Sequence, residues 1–405
     1  MVIPLFVLLL LMLLTVPARA SGLIDCEKTG TLTAAHLNQR LQTVFGPLAP
    51  PPASHAACLY ALRYHSHDAK GRRVTLSGLL AMPVGGAPRG LVVFTHGTTA
   101  DRSLSPSRFT GKTNSPEVEA AVLAFVSSGY AAAMPDYLGL GVDKGVHPYP
   151  LGKVNCASAI DLLEPARTAA ERLGSAVGPR LFITGYSEGG AVALWTVRSL
   201  EQMPGVSVTA AAPMAGPYDL TGTTAHSLVA PTTNPKIFAA RLYLLAYLLN
   251  SVHREDGIKV TDYVVPVMAA VIVNVFGKNL SDEAIIKRLA LAATLRGARN
   301  SVGRITTGRF QTVLRTTDLA DPVLRELQTN NCFDWSPRTK LCLICLESDG
   351  IVVPENTHKA LKAMRARRVG PETLQEFVIH DPSLNHATAL VPSLAQARRF
   401  FDKQR

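Results

Sequence analysis

Leu181-Phe182-Ile183-Thr184-Gly185-Tyr186-Ser187-Glu188-Gly189-Gly190 is an apolar run that breaks at a glycine-flanked serine and leads into the helical apolar pattern Ala191 to Leu200. A Gly-x-Ser-x-Gly segment recurs by chance; its place between a strand and a helix gives it meaning. The turn is so tight that residues without a Cβ must flank the serine's strained backbone. Ser187 is thereby pushed toward solvent at a helix N-terminus, where the helix dipole and the free N–H of Glu188 face an anionic intermediate. The segment therefore predicts a nucleophile at the edge of a sheet that packs against helices.

Outward from it, short β-rich runs alternate with helical stretches, the pattern of a sheet covered on both faces. Strands are expected at Cys58 to His65, Val74 to Met82, Leu91 to Thr95, Ala131 to Met134, Arg180 to Thr184, Val206 to Pro213, Leu341 to Leu346 and Leu374 to Ile379. Helices fit Pro116 to Ser128, Ala157 to Leu173, Glu188 to Gln202, Pro354 to Arg367 and Ala387 to Asp402. The fold class is thus α/β, a mostly parallel central sheet with helices on both faces. Thr221 to Arg338 breaks the alternation, being mostly helical and separating two strands. The expected division is a catalytic domain of residues 21–220 and 339–405, with 221–338 as an inserted helical cap or lid. Pro47 to Pro52 reads as a surface loop or linker.

The chain has 405 residues, 47% hydrophobic and 18% charged, which excludes disordered and fibrous classes. Val2 to Val16 is almost continuously apolar and ends in Ala18-Arg19-Ala20, so residues 1–20 read as a signal peptide cut after Ala20. The product is expected to be secreted or periplasmic. Arg19 is the only charged side chain in that segment, so a formal charge of +11 becomes +10 in the shortened chain. Excess base favours anionic surfaces without naming one. Six cysteines in an exported chain make a disulfide plausible, with Cys332 expected to pair with Cys342 or Cys345. Cys342 and Cys345 are three apart on a strand and point to opposite faces, which argues against shared metal ligation.

A serine hydroxyl is a poor nucleophile unless a histidine takes its proton and a carboxylate orients the ring. His386 follows the last strand and a short loop and opens the terminal helix pattern, at the same sheet edge as Ser187. His380 is the alternative base; His358 lies within a helix pattern. Asp349 follows the buried strand Leu341 to Leu346, whereas Glu347 belongs to that strand and Asp334 and Asp381 lack the strand-end setting. The order Ser187, Asp349, His386 is the nucleophile, acid, base order of an α/β-hydrolase triad. Leu91-Val92-Val93-Phe94-Thr95 runs into His96-Gly97-Thr98-Thr99, and the N–H of Thr98 is expected to join that of Glu188 as an oxyanion hole. His96 is read as a ring that braces this loop.

With these residues quoted, the chain resembles serine esterases and lipases of the α/β-hydrolase superfamily, and within it is similar to the secretory lipases and their bacterial exported relatives. The matching residues are His96-Gly97-Thr98, Pro135-Asp136-Tyr137-Leu138-Gly139-Leu140-Gly141, His147-Pro148-Tyr149, Gly185 to Gly190, Asn331, Asp334-Trp335-Ser336-Pro337, Asp349 to Pro354 and Asn385-His386, over roughly residues 90 to 400. One departure is that Asp349 stands five residues before Pro354, where the family's acid usually stands four before its proline. The resemblance implies carboxylic-ester hydrolysis through an acyl-enzyme, with no metal and no organic cofactor. A serine peptidase or amidase on the same fold is the alternative, followed by a non-catalytic hydrolase-like binding protein.

The insertion carries what substrate information there is. Ile237 to Leu249 and Tyr263 to Phe276 are apolar nearly all round, interrupted by Arg241 and Pro266, and shorter than the roughly 20 residues a bilayer span needs. They are expected to set acyl-chain preference without contributing to the triad, with Tyr186, Leu245 and Val271 as substrate-binding residues. From Ala284 to Thr317 there are Lys287, Arg288, Arg296, Arg299, Arg304, Arg309 and Arg315 and no acid, a pattern suited to an anionic membrane surface. The expected partner is a small-molecule or lipid ester. Nucleic acid is not expected, because aromatic and basic residues do not interleave.

Overall fold

The computed structural model describes residues 22–112 and 115–404. The expected leader of residues 1–20 lies outside the described residues.

The strands are β1 (Leu23–Leu32), β2 (Ala57–His67), β3 (Arg73–Pro83), β4 (Leu91–Thr95), β5 (Ala131–Pro135), β6 (Leu181–Tyr186), β7 (Ala210–Met214), β8 (Leu341–Leu346) and β9 (Leu374–Ile379). They form one nine-stranded sheet in the order β1-β2-β3-β5-β4-β6-β7-β8-β9. Pairing is antiparallel from β1 through β3 to β5 and parallel from β5 through β4 to β9. This is the α/β-hydrolase arrangement. The chain moves outward from β4 to β5 and then returns to the other side of β4 for β6. Such a reversal opens a crevice beyond the carboxyl ends of the strands, where the loops after β4 and β6 meet.

The helices are α1 (Ala34–Phe45), α2 (Pro116–Ala121), α3 (Gly152–Arg172), α4 (Glu188–Leu200), α5 (Ala225–Val229), α6 (Pro235–Asp256), α7 (Pro266–Val275), α8 (Asp282–Leu295), α9 (Gly308–Thr316), α10 (Pro322–Thr329), α11 (Glu355–Ala366) and α12 (Leu390–Asp402). One face of the sheet, including Val92, Phe94, Phe182 and Ile344, is buried with Leu37 and Leu41 of α1, Phe400 and Phe401 of α12 and the segment Val118–Val126. The other face, including Leu91, Val93, Ile183 and Leu343, is buried with Leu162 and Ala166 of α3, Val192 of α4 and Leu361 of α11. β6 reads as uninterrupted apolar sequence because both of its faces are covered.

Two elements were absent from the sequence expectation, β1 and α1. β1 is an edge strand whose residues alternate irregularly between half-buried and exposed. Its place is fixed by main-chain pairing with β2, which leaves little trace in hydropathy. α1 does carry a signal: Thr33 caps it by accepting from His36 N–H, and Leu37, Leu41 and Phe45 recur four apart on its buried face. At the other end, α12 begins at Leu390, so His386 stands in a loop and does not open the helix.

Between β7 and β8 the chain runs through α5 to α10, whose apolar residues form a core of their own around Leu242, Leu249, Met268, Ile272, Leu289, Phe310 and Leu324. Among the described residues its β-structure is one isolated bridge, Val264 to Thr306. All six cysteines are unpaired, which corrects the disulfide expectation. Cys342 faces one core of the sheet with Ile344, its neighbours Leu341 and Leu343 face the other, and Cys332 is packed beneath Ala191 and Tyr218, away from a partner thiol. No group of metal-ligating side chains gathers among the described residues.

Separate cores predict separable instabilities. Leu343→Ala should cost about 2–5 kcal/mol of global stability, read as a lower urea midpoint. Leu289→Ala should instead speed hydrogen exchange mainly within residues 235–329.

Candidate active site

Ser187 occupies the turn from β6 to α4 with φ 57° and ψ −125°, a conformation that is costly for a residue with a Cβ. The surrounding backbone holds it there. Its N–H donates to Met214 O on β7 at 3.0 Å, and Gly189 lies so near β4 that a Cβ would come within 1.9 Å of Thr95 O. Thr95 Oγ1 reaches over the turn to donate to Gly189 O at 2.7 Å.

The loops after β8 and β9 bring the other expected residues to this turn. His386 Nε2 lies 2.8 Å from Ser187 Oγ, and His386 Nδ1 lies 2.6 Å from Asp349 Oδ2. Asp349 is buried, and its Oδ1 accepts from the N–H groups of Ile351 (2.9 Å) and Val352 (3.1 Å), which fixes its rotamer. The five-residue step from Asp349 to Pro354 leaves this carboxylate against the ring. His386 is held from behind as well, because Tyr186 OH donates to its carbonyl and the two rings lie 5.1 Å apart. The alternatives are occupied elsewhere. His380 and Glu347 pair with each other on the surface at 3.0 Å, His358 lies 3.7 Å from Glu376, Asp334 pairs with Arg367, and Asp381 accepts from Ser383.

The loop after β4 closes the other side. His96 braces it: one ring nitrogen meets Gly97 O at 2.7 Å, the other meets Asp136 O at 3.4 Å, and the ring packs 4.2 Å from that of Tyr137. Burial pushes this imidazole below its ordinary pKa. Gly97 N–H donates to Glu117 Oε1 at 2.8 Å. The N–H groups of Thr98 and Glu188 have no acceptor among the described residues, as an oxyanion hole requires. The Glu188 side chain turns inward, where Oε1 meets His147 Nε2 at 2.8 Å and accepts from Asn155 Nδ2 at 3.2 Å.

A cavity of about 430 Å³ opens over Ser187 and His386. Its catalytic-domain wall includes Thr98, Glu117, Tyr186, Ile351 and Leu390, and its other wall comes from Ala240, Tyr243 and Leu244 of α6 with Asp282 and Ile286 of α8. Of the three residues expected to bind substrate, Tyr186 lines this cavity. Leu245 and Val271 do not, and this is a correction. Ala240, Tyr243 and Leu244 share one helix face, so Leu245 is rotated into the insertion's own core, and Val271 packs against that core from α7.

The sequence reading missed Asp282, Arg241 and Glu117. Asp282 accepts from Thr99 Oγ1 (2.6 Å), Ala100 N–H (2.7 Å) and Tyr243 OH (2.7 Å), tying α8 to the loop after β4. Arg241 donates to Gly350 O, beside Asp349. Asp282 had a visible signal as the first acid of a helix, and Arg241 as the lone charge in the apolar run Ile237 to Leu249; Glu117 had none, because it belongs to no motif.

The fold has solved counterparts. The esterase LipA of Xanthomonas oryzae, which degrades rice cell wall, superposes with a TM-score of 0.80 at 22% identity over 96% of this chain and 100% of that one. A protein of Legionella pneumophila provisionally assigned as a hydrolase gives 0.80 at 24% identity over 94% and 98%. Candida antarctica lipase A in its closed state gives 0.67 at 13% identity over 95% and 82%. No protein-family model and no curated protein matches the chain. Identities this low establish a shared fold.

Glu117 offers a test independent of turnover. Burial in the cavity wall pushes its carboxyl up to about 7, from an ordinary 4.5, against the opposing pull of the Gly97 N–H. The folded state therefore holds a proton that the unfolded state has released, and stability from this group falls as pH rises from about 4.5 to 7. Glu117→Gln keeps an acceptor for Gly97 and cannot ionise. Its Tm relative to the parent should rise across that window, and a parallel pair of Tm curves would refute the assignment.

Proposed function

We propose that the protein is an exported carboxylic-ester hydrolase that works through a serine acyl-enzyme. The observation that carries the reading is the unbroken relay from Ser187 Oγ through the His386 ring to the buried carboxylate of Asp349. In this reading Ser187 Oγ attacks the ester carbonyl while its proton passes to His386 Nε2. Asp349 keeps the other ring nitrogen protonated and stabilises the imidazolium that forms. The carbonyl oxygen, now an alkoxide, takes hydrogen bonds from the N–H groups of Thr98 and Glu188. The tetrahedral centre collapses, the C–O bond to the alcohol breaks, and the imidazolium protonates the leaving oxygen. Water then repeats the sequence, with His386 as base, to free the acid and restore Ser187. No step requires a cofactor.

The insertion is assigned the role of a cap that selects the acyl chain, since α6 and α8 supply the largely apolar far wall of the cavity. Export rests on the apolar leader and Ala18-Arg19-Ala20 of the sequence. Contact with an anionic lipid surface is part of the same proposal. α8 exposes Leu291 (64%) and Leu295 (73%) between Arg288 and Arg296, while no described helix is long and apolar enough to cross a membrane.

Ser187→Ala should abolish hydrolysis of p-nitrophenyl butyrate and labelling by an organophosphonate while the Tm stays within a few degrees. His386→Ala should lose several powers of ten in kcat, whereas His380→Ala should not. Equal turnover of matched esters and aminoacyl anilides would favour the peptidase alternative.

A filled cavity should act on long chains alone. Each buried methylene is worth about 0.8 kcal/mol, so Leu244→Trp or Ile286→Trp should depress kcat/KM for octanoate to dodecanoate esters relative to butyrate. Loss at every length would remove the chain-selecting role from this wall.

A further inference from the structure

Arg241 sits in the middle of the apolar helix α6 and is buried, 8% exposed. A guanidinium in such a place is costly unless its donors are satisfied, and a buried arginine ordinarily faces a carboxylate. This one faces main chain. Nε and Nη2 donate in a fork to the single carbonyl of Gly350, at 3.2 and 2.8 Å, and Nη1 donates to Ala230 O at 3.1 Å. One helical turn earlier, Ile237 packs against the same residue: a Cβ on Gly350 would come within 2.5 Å of its Cδ1. Thus α6, an element of the insertion, grips the peptide that directly follows the triad carboxylate.

Asp349 has no fixed position apart from its loop. Its Oδ1 is held by the N–H groups of Ile351 and Val352, so carboxylate and loop move as one body. Gly350 lies between them, and its carbonyl points outward to Arg241. Pulling on that carbonyl sets where Oδ2 meets His386 Nδ1, now 2.6 Å away. Lysine would not serve equally well, because only the planar fork presents two parallel N–H groups to one acceptor.

We infer that Arg241 is a positioning residue for the triad, holding the Asp349 loop from the insertion through the Gly350 carbonyl. The inference rests on the proposed ester hydrolysis for its kinetic consequences and on geometry alone for its structural ones. It adds a positioning contact from the insertion to a triad whose three residues all lie outside it.

The test uses the whole enzyme with Arg241→Met, Arg241→Lys and Arg241→Ala. With p-nitrophenyl butyrate, kcat should fall about 10- to 100-fold in Arg241→Met, because misplacement on the order of 1 Å costs that much, while KM changes less than about threefold. Guanidinium at tens of millimolar, too dilute to unfold the protein, should restore part of the kcat of Arg241→Ala and do nothing for Arg241→Met, whose side chain fills the site. Arg241→Lys should fall between Met and the parent. Hydrogen exchange over residues 347–354 should quicken in Arg241→Met while exchange in β8 is unchanged.

A rise in KM with kcat intact would show that Arg241 only packs the cavity wall, and would overturn the inference. So would unchanged exchange over 347–354. If the parent enzyme turns over no ester, the proposed function fails while the exchange experiment still decides the role of Arg241. Should Arg241→Met not fold, Arg241→Lys is measured in the same two ways.

Discussion

The tightest constraint in the molecule is the approach of the Gly189 backbone to the carbonyl of Thr95. Two parallel strands, β4 and β6, pair with Thr95 opposite Gly185, and α4 must leave β6 without colliding with its neighbour. It can do so only if the first turn of the helix lies directly on the end of β4. From that single packing condition follow the glycines, the left-handed backbone of Ser187, and the nearness of the loop carrying Thr98 to Ser187. Neighbouring strands end side by side, so their loops converge without any long-range device. The strain at Ser187 is therefore held by the best-buried part of the sheet.

Beneath Ser187 lies a cluster of buried polar side chains. His147 and Glu188 pair with side chains about 1% exposed, and His147 stacks on Tyr137, which in turn packs on His96. Tyr247 of α6 meets His147 edge-on and donates to Thr99 O at 3.4 Å. Removing one partner of such a pair leaves a buried polar group without its hydrogen bond, which typically costs about 1–3 kcal/mol. A hydrophobic substitute would pack, but it would lose the directional bonds that link the Ser187 turn, the loop after β4 and α6. The contacts that tie the insertion to the loops around Ser187 and Asp349 include Arg241 to Gly350, Asp282 to Thr99, and Tyr247 to Thr99.

What the sequence made legible follows from how strongly each feature constrains local composition. Buried parallel strands must be apolar on both faces, so Leu91 to Thr95 and Leu341 to Leu346 match the observed strands residue for residue, while Leu374 to Ile379 matches as an edge strand with an exposed middle and apolar ends. Ser187, Asp349 and His386 stood out because each sits where a strand gives way to a loop, and the structure brings them within hydrogen-bonding distance. β1 escaped because an edge strand is specified by pairing more than by burial. Leu245 and Val271 were misplaced because a helix that is apolar all round offers no periodic mark of which face meets the cavity and which meets other helices. The role of Arg241 was invisible for a related reason: its partner is a peptide carbonyl 109 residues away, and carbonyls leave no imprint on sequence.

Because α6 bears on both the loop after β4 and the loop after β8, the insertion is poorly suited to modular exchange. A block grafted from another chain would need a guanidinium at the height of Gly350 and a carboxylate at the height of Thr99, whatever its preferred acyl length. Among the described residues, helices α7, α9 and α10 supply neither of these contacts and none of the cavity wall. Diversification of this scaffold, natural or engineered, would then be expected to run through those outer helices, leaving α6 and α8 as part of the inherited chassis.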